Sequence, residues 1–315
     1  MSKHYDKVIL HAGLQKTAST YLQSSVWPKV PGYTFLSRPY TQHNHAFNQL
    51  QYADDTLYKK DLLVKELKQI GANRLILSDE NFSGKGEYFS YINRSMTARR
   101  LKELFPKAEI VLFLRDQKDL ILSYYSSYIK MPYGTKPIED FYYKPHTNYS
   151  YSDYINHPNL YDMSSLYYNT NDYFIHLDCF LYSHLIDLYN EMFDKVHVFL
   201  YEDFKRDQLE TISRIEEIVG ERIQIKSTRK RNVSLSCLEL EKLRRQNIVS
   251  RAISNRYLRK IAKEIVAKLT TKARDENDLK KLVHEIVGQH YSEDNSVLKT
   301  RLPYLGWDNH PNKYT

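Results

Sequence analysis

"VILHAGLQKTASTYLQ", residues 8–23, is the stretch whose reading decides the fold. Val8, Ile9 and Leu10 form a short apolar run of the kind that fills a buried strand. A loop with one glycine, Gly13, and one lysine, Lys16, follows, and the chain then turns hydroxyl-rich at Thr17, Ser19 and Thr20. Strand, tight loop and helix in that order bring several backbone N–H groups and a helix dipole to one point, which favours an anion. The nucleoside-triphosphate loop requires G-x-x-x-x-G-K-[ST]. Lys16 and Thr17 stand in place, but Leu10 and Gln15 occupy the two glycine positions. Taken alone, the stretch is equally an ordinary strand-to-helix turn.

Three further apolar runs match the first: "RLILSDE" (74–80), "EIVLFLRD" (109–116) and "KVHVFLYED" (195–203). Each is short, rich in Val, Ile, Leu and Phe, and polar at its end. Helical patterns separate them at 61–70, at 95–106 with Pro106 as the stop, and at 172–193 as one long amphipathic helix. Strands alternating with helices predict an α/β fold, a central parallel sheet flanked by helices on both faces. Ligands of such sheets bind beyond the carboxyl ends of the strands. His11 to Lys16, Ser78 to Glu80, and Arg115 are therefore expected to share one cleft. Residues 130–171 carry four prolines among many tyrosines, asparagines and serines, with no clear period. A loop that long is usually functional. Beyond Ser234 the pattern is helical and basic through Gly288.

At 315 residues the chain has room for one large domain or two small ones, and one domain over 1–315 is expected. It is 42% hydrophobic and 27% charged, as soluble globular proteins are. No apolar run is long enough to span a membrane, and the two cysteines, Cys179 and Cys237, form neither a disulfide framework nor a metal-ligand spacing. A cytoplasmic protein without a metal site is expected. The net charge of +8 is uneven: residues 226–281 hold 17 Lys and Arg against 6 Asp and Glu. Polyanionic ligands, nucleic acid or the inner face of an anionic membrane all fit such a segment, although solvated helix faces explain many of its kind.

The third strand adds a second anion signal, because "LRDQKDLILSYY" places Arg115 at a polar strand end and Ser123 eight residues later in the next helix. Here the chain resembles the sulfotransferases that use 3′-phosphoadenosine 5′-phosphosulfate (PAPS), in particular bacterial carbohydrate sulfotransferases. "HAGLQKTASTYLQ" is similar to the family's 5′-phosphosulfate loop, and Arg115 and Ser123, with Asp119 between them, to its 3′-phosphate pair. "FLYEDFKRD" (199–207), "RKRNVSLS" (229–236) and "YSEDNSVL" (291–298) resemble later family segments. Two positions depart from the pattern: Ala18 where glycine is usual and Gln117 where proline is usual. The resemblance implies a P-loop-like sulfotransferase fold, PAPS as co-substrate, and donor binding by Gln15, Lys16, Thr17, Ala18, Ser19, Thr20, Arg115, Ser123, Lys230, Arg231 and Asn232.

The residue types suit that chemistry. A donor phosphorylated at both ends needs two anion sites; arginine's planar fork fits a terminal phosphate, and lysine's point charge fits a leaving oxygen. An acceptor hydroxyl must lose a proton, so a general base belongs near Lys16. Glu80, ending the second strand, is the preferred base; Asp79 should face the other way, and His43 and His45 in "YTQHNHAF" are the rivals. His11 is expected to shape the loop, and Glu202 and Asp203 to be structural. The expected partners are the nucleotide donor and a hydroxyl acceptor, a glycan or glycolipid. The alternatives are a small-molecule or tyrosyl-peptide sulfotransferase and a phosphate-loop nucleotide kinase. A nucleic-acid binder using residues 226–281 is disfavoured by the absence of a recognisable module.

Overall fold

The computed structural model describes residues 5–84, 93–143, 175–225, 235–287 and 289–315. Its strands are β1 (Lys7–His11), β2 (Thr34–Ser37), β3 (Arg74–Ser78), β4 (Glu109–Leu114), β5 (Tyr142–Tyr143), β6 (Ile175–His176) and β7 (Lys195–Leu200). The helices of the first 130 residues are α1 (Ser19–Tyr21), α2 (Arg38–His43), α3 (His45–Tyr52), α4 (Lys60–Ile70), α5 (Arg94–Leu104) and α6 (Gln117–Lys130). Then come α7 (Tyr182–Met192), α8 (Tyr201–Arg206), α9 (Gln208–Val219), α10 (Cys237–Ala252), α11 (Arg256–Leu269), α12 (Glu276–Val287) and α13 (Ser292–Arg301). Two compact units result. One comprises Met1–Asp116, Leu181–Arg231 and Ser292–Thr315; the other comprises Gln117–Phe180 and Asn232–Tyr291.

The first unit is built on a five-stranded, all-parallel sheet in the order β2-β3-β1-β4-β7. The four apolar runs of the sequence are β1, β3, β4 and β7. All six residues of β4 are buried, as expected of a central strand covered on both faces. Ile9, Ile76, Val111, Phe113 and Phe199 join one core cluster with Leu22, Val26, Trp27, Ile212, Ile215 and Val219. The alternate positions, Leu10, Leu75, Leu77, Ile110, Leu112 and Leu200, are equally buried. From β1 the chain runs outward to β2, returns to β3 beside β1, and then crosses to β4 on the other side. The direction of winding thus reverses at β1, and its carboxyl end is the switch point where such sheets bind ligands.

Two elements differ from expectation. The edge strand β2 pairs with β3 from Thr34 opposite Leu75 to Ser37 opposite Ser78. It has no signal of its own, because four residues, of which only Leu36 is buried, carry too little apolar content; pairing with β3 makes it a strand. The long helix expected over 172–193 forms only from Tyr182. Residues 175–176 are β6, and Leu177–Phe180 form a 3-10 turn. The helix start is imposed from a distance. Leu181 offers no capping side chain. Buried Asp294 of α13 does so instead, accepting from the backbone N–H of Tyr182 at 2.7 Å, from that of Ser183 at 3.2 Å, and from the Ser183 hydroxyl.

In the second unit, α6 packs against α10 and α12, and α10 against α11. The turn after α6 is held by buried Asn247, whose amide donates to the carbonyls of Ile129, Met131 and Gly134 at 2.9–3.0 Å. A side chain at Gly134 is excluded, since its Cβ would lie 2.1 Å from the Tyr128 carbonyl oxygen. The short β5 and β6 strands pair in parallel. Residues 144–174, which include most of the tyrosine-rich stretch, lie outside the described residues.

The cap supplied by Asp294 carries a direct expectation. Asp294→Ala leaves the Tyr182 and Ser183 N–H groups without a partner in a buried place. It should lower the stability of the chain by about 2–3 kcal/mol, as loss of a charged cap with several bonds does. Urea denaturation followed by circular dichroism checks this through the midpoint at constant slope.

Candidate functional site

The loop after β1 turns by an unusual route. Lys16 and Ala18 both adopt left-handed backbone conformations, with φ of 68° and 69°. A non-glycine residue there costs about 1–2 kcal/mol, so the surrounding packing must hold both in place. Left-handed residues in a tight loop converge backbone N–H groups, the geometry of anion-binding nests. Thr17 is fully buried, and its hydroxyl donates to the Leu14 carbonyl at 2.5 Å, closing the loop on itself. Ser19 is buried and opens α1, whereas Thr20 is exposed on the outer side. The helical run continues as one π-helical turn over Leu22–Val26 and a 3-10 turn over Trp27–Lys29.

Three strand ends meet here. Arg115, just past β4, donates through Nη1 to the Lys16 carbonyl at 3.0 Å, and its guanidinium lies 4.6 Å from the centre of the Tyr201 ring. The peptide after it is bonded at both groups, and the next side chain is bonded too. The Tyr182 hydroxyl donates to the Arg115 carbonyl at 2.6 Å, and the Asp116 N–H donates to Glu202 at 3.1 Å. The Tyr314 N–H donates to the Asp116 carboxylate at 2.9 Å. Glu202 also accepts from the Tyr314 hydroxyl, and burial pushes its carboxyl upward despite these bonds. Asp203 binds His310 and Arg206, each at 2.9 Å.

The end of β3 brings carboxylates. Asp79 is fully buried; it accepts from Thr41 at 2.5 Å, from Gln51 at 2.9 Å and from the Asn81 N–H at 2.9 Å, away from the loop. Glu80, 8% exposed, faces the loop: one oxygen accepts from the Ser19 hydroxyl, and the other is ion-paired with Arg38 at 2.9 Å. The 3-10 turn Glu80–Ser83 seats itself through the Ser83 hydroxyl, which donates to the Glu80 carbonyl at 2.9 Å. His43 and His45 are exposed, and the ring of His45 bonds Gln49 at 3.0 Å. Sequence reasoning missed Arg38, which carries no motif and reaches Glu80 only because β2 lies beside β3.

His11 is the floor of the site. It is fully buried, its Nδ1 lies 2.7 Å from the Ser78 hydroxyl, and the Trp27 indole N–H reaches the same atom at 3.3 Å. An indole nitrogen only donates, so Nδ1 accepts and the ring proton belongs on Nε2. Burial pulls the imidazole down to about 3, so the ring is neutral near pH 7. Its Nε2 sits 2.8 Å from where a Cβ on Gly13 would be, which excludes any side chain at that position.

Three of the donors around the loop share one property. The Nε2 of His11, the amide nitrogen of Gln15 and the Nε of Arg115 are all buried without a hydrogen-bond partner among the described residues. Buried donors are satisfied in the great majority of proteins, and each exception needs an explanation. Three N–H groups around one tight loop that also carries Lys16 fit an anion with several acceptor oxygens. Of the other expected donor-site residues, Ser123 lies on α6 in the second unit, half-buried, with its carbonyl accepting from the Ser127 hydroxyl at 3.1 Å. Lys230, Arg231 and Asn232 lie outside the described residues. No group of three or more His, Cys, Asp or Glu able to hold a metal ion occurs among the described residues, nor any helix long and apolar enough to cross a membrane.

The neutral His11 makes stability depend on pH in a defined direction. Its folded value lies below the ordinary 6.5, so its contribution is complete above about pH 6.5 and is lost as pH falls toward 3. Over that window the unfolded chain takes up a proton that the folded chain refuses, a slope of ~1.4 kcal/mol per pH unit. Urea midpoints between pH 6.5 and 4 should fall more steeply for the parent than for His11→Asn. Parallel slopes would mean that the ring is protonated in the folded chain.

No family model and no curated protein matches the chain. Solved structures do. A sulfotransferase from Alicyclobacillus acidocaldarius is similar at a TM-score of 0.43 and 14% identity, over 89% of this chain and 100% of that one. A mouse sulfotransferase complexed with PAP is similar at a TM-score of 0.36 and 14% identity, over 90% of each chain.

Proposed function

We propose that this chain is a PAPS-dependent sulfotransferase that moves a sulfuryl group to an acceptor hydroxyl, with a carbohydrate as the acceptor class. The observation that carries this reading is the set of three partnerless buried donors around the β1 loop, with Arg115 tied to the loop backbone. The motif order of the sequence supports the same reading. Gln15, Lys16, Thr17, Ala18, Ser19 and Thr20 would form the 5′-side anion site. Arg115 and Ser123 would serve the 3′-phosphate, and Lys230, Arg231 and Asn232 would cover the nucleotide.

The roles follow from charge and position. The backbone and side-chain N–H groups of the loop hold the donor's 5′ oxygens, and His11 contributes a neutral N–H without adding a charge. Lys16 places a cation beside the bridging oxygen, which gains negative charge as its bond to sulfur breaks. The new bond forms between the acceptor oxygen and sulfur. The hydroxyl proton passes to Glu80, which exchanges its Ser19 or Arg38 partner for the acceptor. Arg38, ion-paired with the carboxylate, keeps it aimed at the loop.

Two outcomes test the reading. In calorimetry the parent should bind 3′-phosphoadenosine 5′-phosphate in preference to ATP and to an oligonucleotide. Arg115→Ala should lose about 2–4 kcal/mol of that binding, the usual cost of removing a charged, hydrogen-bonded partner. A parent that prefers ATP would point to a nucleotide kinase instead.

Chemistry is tested separately with a radiolabelled donor and a panel of glycans, phenols and peptides. Glu80→Gln keeps the shape and hydrogen bonding of the side chain but removes the base. Its transfer rate should fall about 10²–10⁴-fold with donor affinity nearly unchanged. Near-parent activity in Glu80→Gln would remove Glu80 as the base.

A further inference from the structure

Helix α11, Arg256–Leu269, is amphipathic yet buries none of its residues. It meets α10, with the Gln246 amide donating to the Lys263 carbonyl, and Arg259, Ala262, Lys263, Val266 and Ala267 are half-buried. A second apolar stripe is left outside that contact. Leu258 is 56% exposed, Ile261 40%, Ile265 50% and Leu269 72%. Their spacing of three and four residues puts them on one line down the helix. Tyr257, 73% exposed, stands at its amino-terminal end. Isolated surface leucines need no explanation, but four aliphatic side chains in one line do.

The charges on the same helix indicate what covers it. Arg256, Arg259, Lys260, Lys263 and Lys268 stand against the single Glu264, a net +4 over 14 residues. None of the five cations is ion-paired with a described carboxylate, whereas Arg244 and Arg245 on α10 both bind Glu241. Aliphatic side chains in a line, an aromatic ring at one end and uncompensated Lys and Arg beside them are what the interface of an anionic bilayer selects. A second copy of this chain is a poor occupant, because a symmetric contact would set two +4 helices face to face.

We infer that α11 is a peripheral docking helix for an anionic lipid surface, lying in the headgroup layer with Leu258, Ile261, Ile265 and Leu269 inserted. This inference does not rest on the sulfuryl-transfer reading, since the helix takes no part in the donor site proposed above.

Vesicle flotation tests it on the full chain, with phosphatidylcholine vesicles compared with vesicles that also contain phosphatidylglycerol. The parent should float with the anionic vesicles only, and added salt should weaken the binding. Ile261→Ser with Ile265→Ser should abolish flotation. Lys260→Gln, Lys263→Gln and Lys268→Gln together should weaken it on the order of a hundredfold, about fivefold for each cation. Both variants should melt with the parent and bind 3′-phosphoadenosine 5′-phosphate as the parent does, because the changes are confined to side chains of α11. No flotation of the parent, equal binding to neutral vesicles, or parent-like binding by either variant overturns the inference. So does a dimer in sedimentation velocity that Ile261→Ser with Ile265→Ser dissociates, which would give the face to a second copy.

Discussion

The bond from the Arg115 guanidinium to the Lys16 carbonyl joins two adjacent strand ends, and the geometry of the site depends on it. A loop with two left-handed non-glycine residues would relax if nothing held it. Arg115 can hold it because the peptide that follows it is itself bonded at both its carbonyl and its N–H. Tyr182, Glu202 and Tyr314 reach Arg115 and Asp116 from three separate parts of the chain. A cation held in this way needs little further ordering before it can pair with an anion.

The chemistry of the loop follows from burial as much as from charge. A protonated imidazole at position 11 would be costly to desolvate, so the ring is neutral and offers one N–H toward Gly13. In the donor site proposed above, the charge therefore belongs to Lys16 and Arg115, while His11 and Gln15 offer uncharged N–H groups. Glu80 sits at the border between carboxylate and loop. Its bond from Ser19 couples the state of the carboxylate to the first residue of α1, and its pairing with Arg38 couples it to the edge strand. A substitution at Arg38 should therefore act through Glu80.

The basic segment of the chain divides into two kinds of cation. Arg244 and Arg245 on α10 share the one carboxylate of Glu241, and Arg274 pairs with Glu139. Those of α11 are not paired with a described carboxylate, and they accompany an apolar stripe. A net charge read from composition treats the two kinds alike; ion pairing separates them.

The parallel sheet and the placing of Lys16, Glu80 and Arg115 at neighbouring strand ends were legible in the sequence because they depend on local patterns. Buried parallel strands read as apolar runs, and a strand that ends in polar residues marks the carboxyl edge where ligands bind. The opposite orientations of Asp79 and Glu80 were also legible from their adjacency. Other features depend on partners distant in the chain. The edge strand β2 exists through β3, the start of α7 through Asp294, and the approach of Arg38 to Glu80 through β2. The neutrality of His11 likewise needs the burial that Trp27 and Ser78 complete. Sequence determines what a residue can donate, accept or bury; only the tertiary structure decides which of those capacities is already spent on a neighbour, because hydrogen bonds and desolvation are set by distance in space.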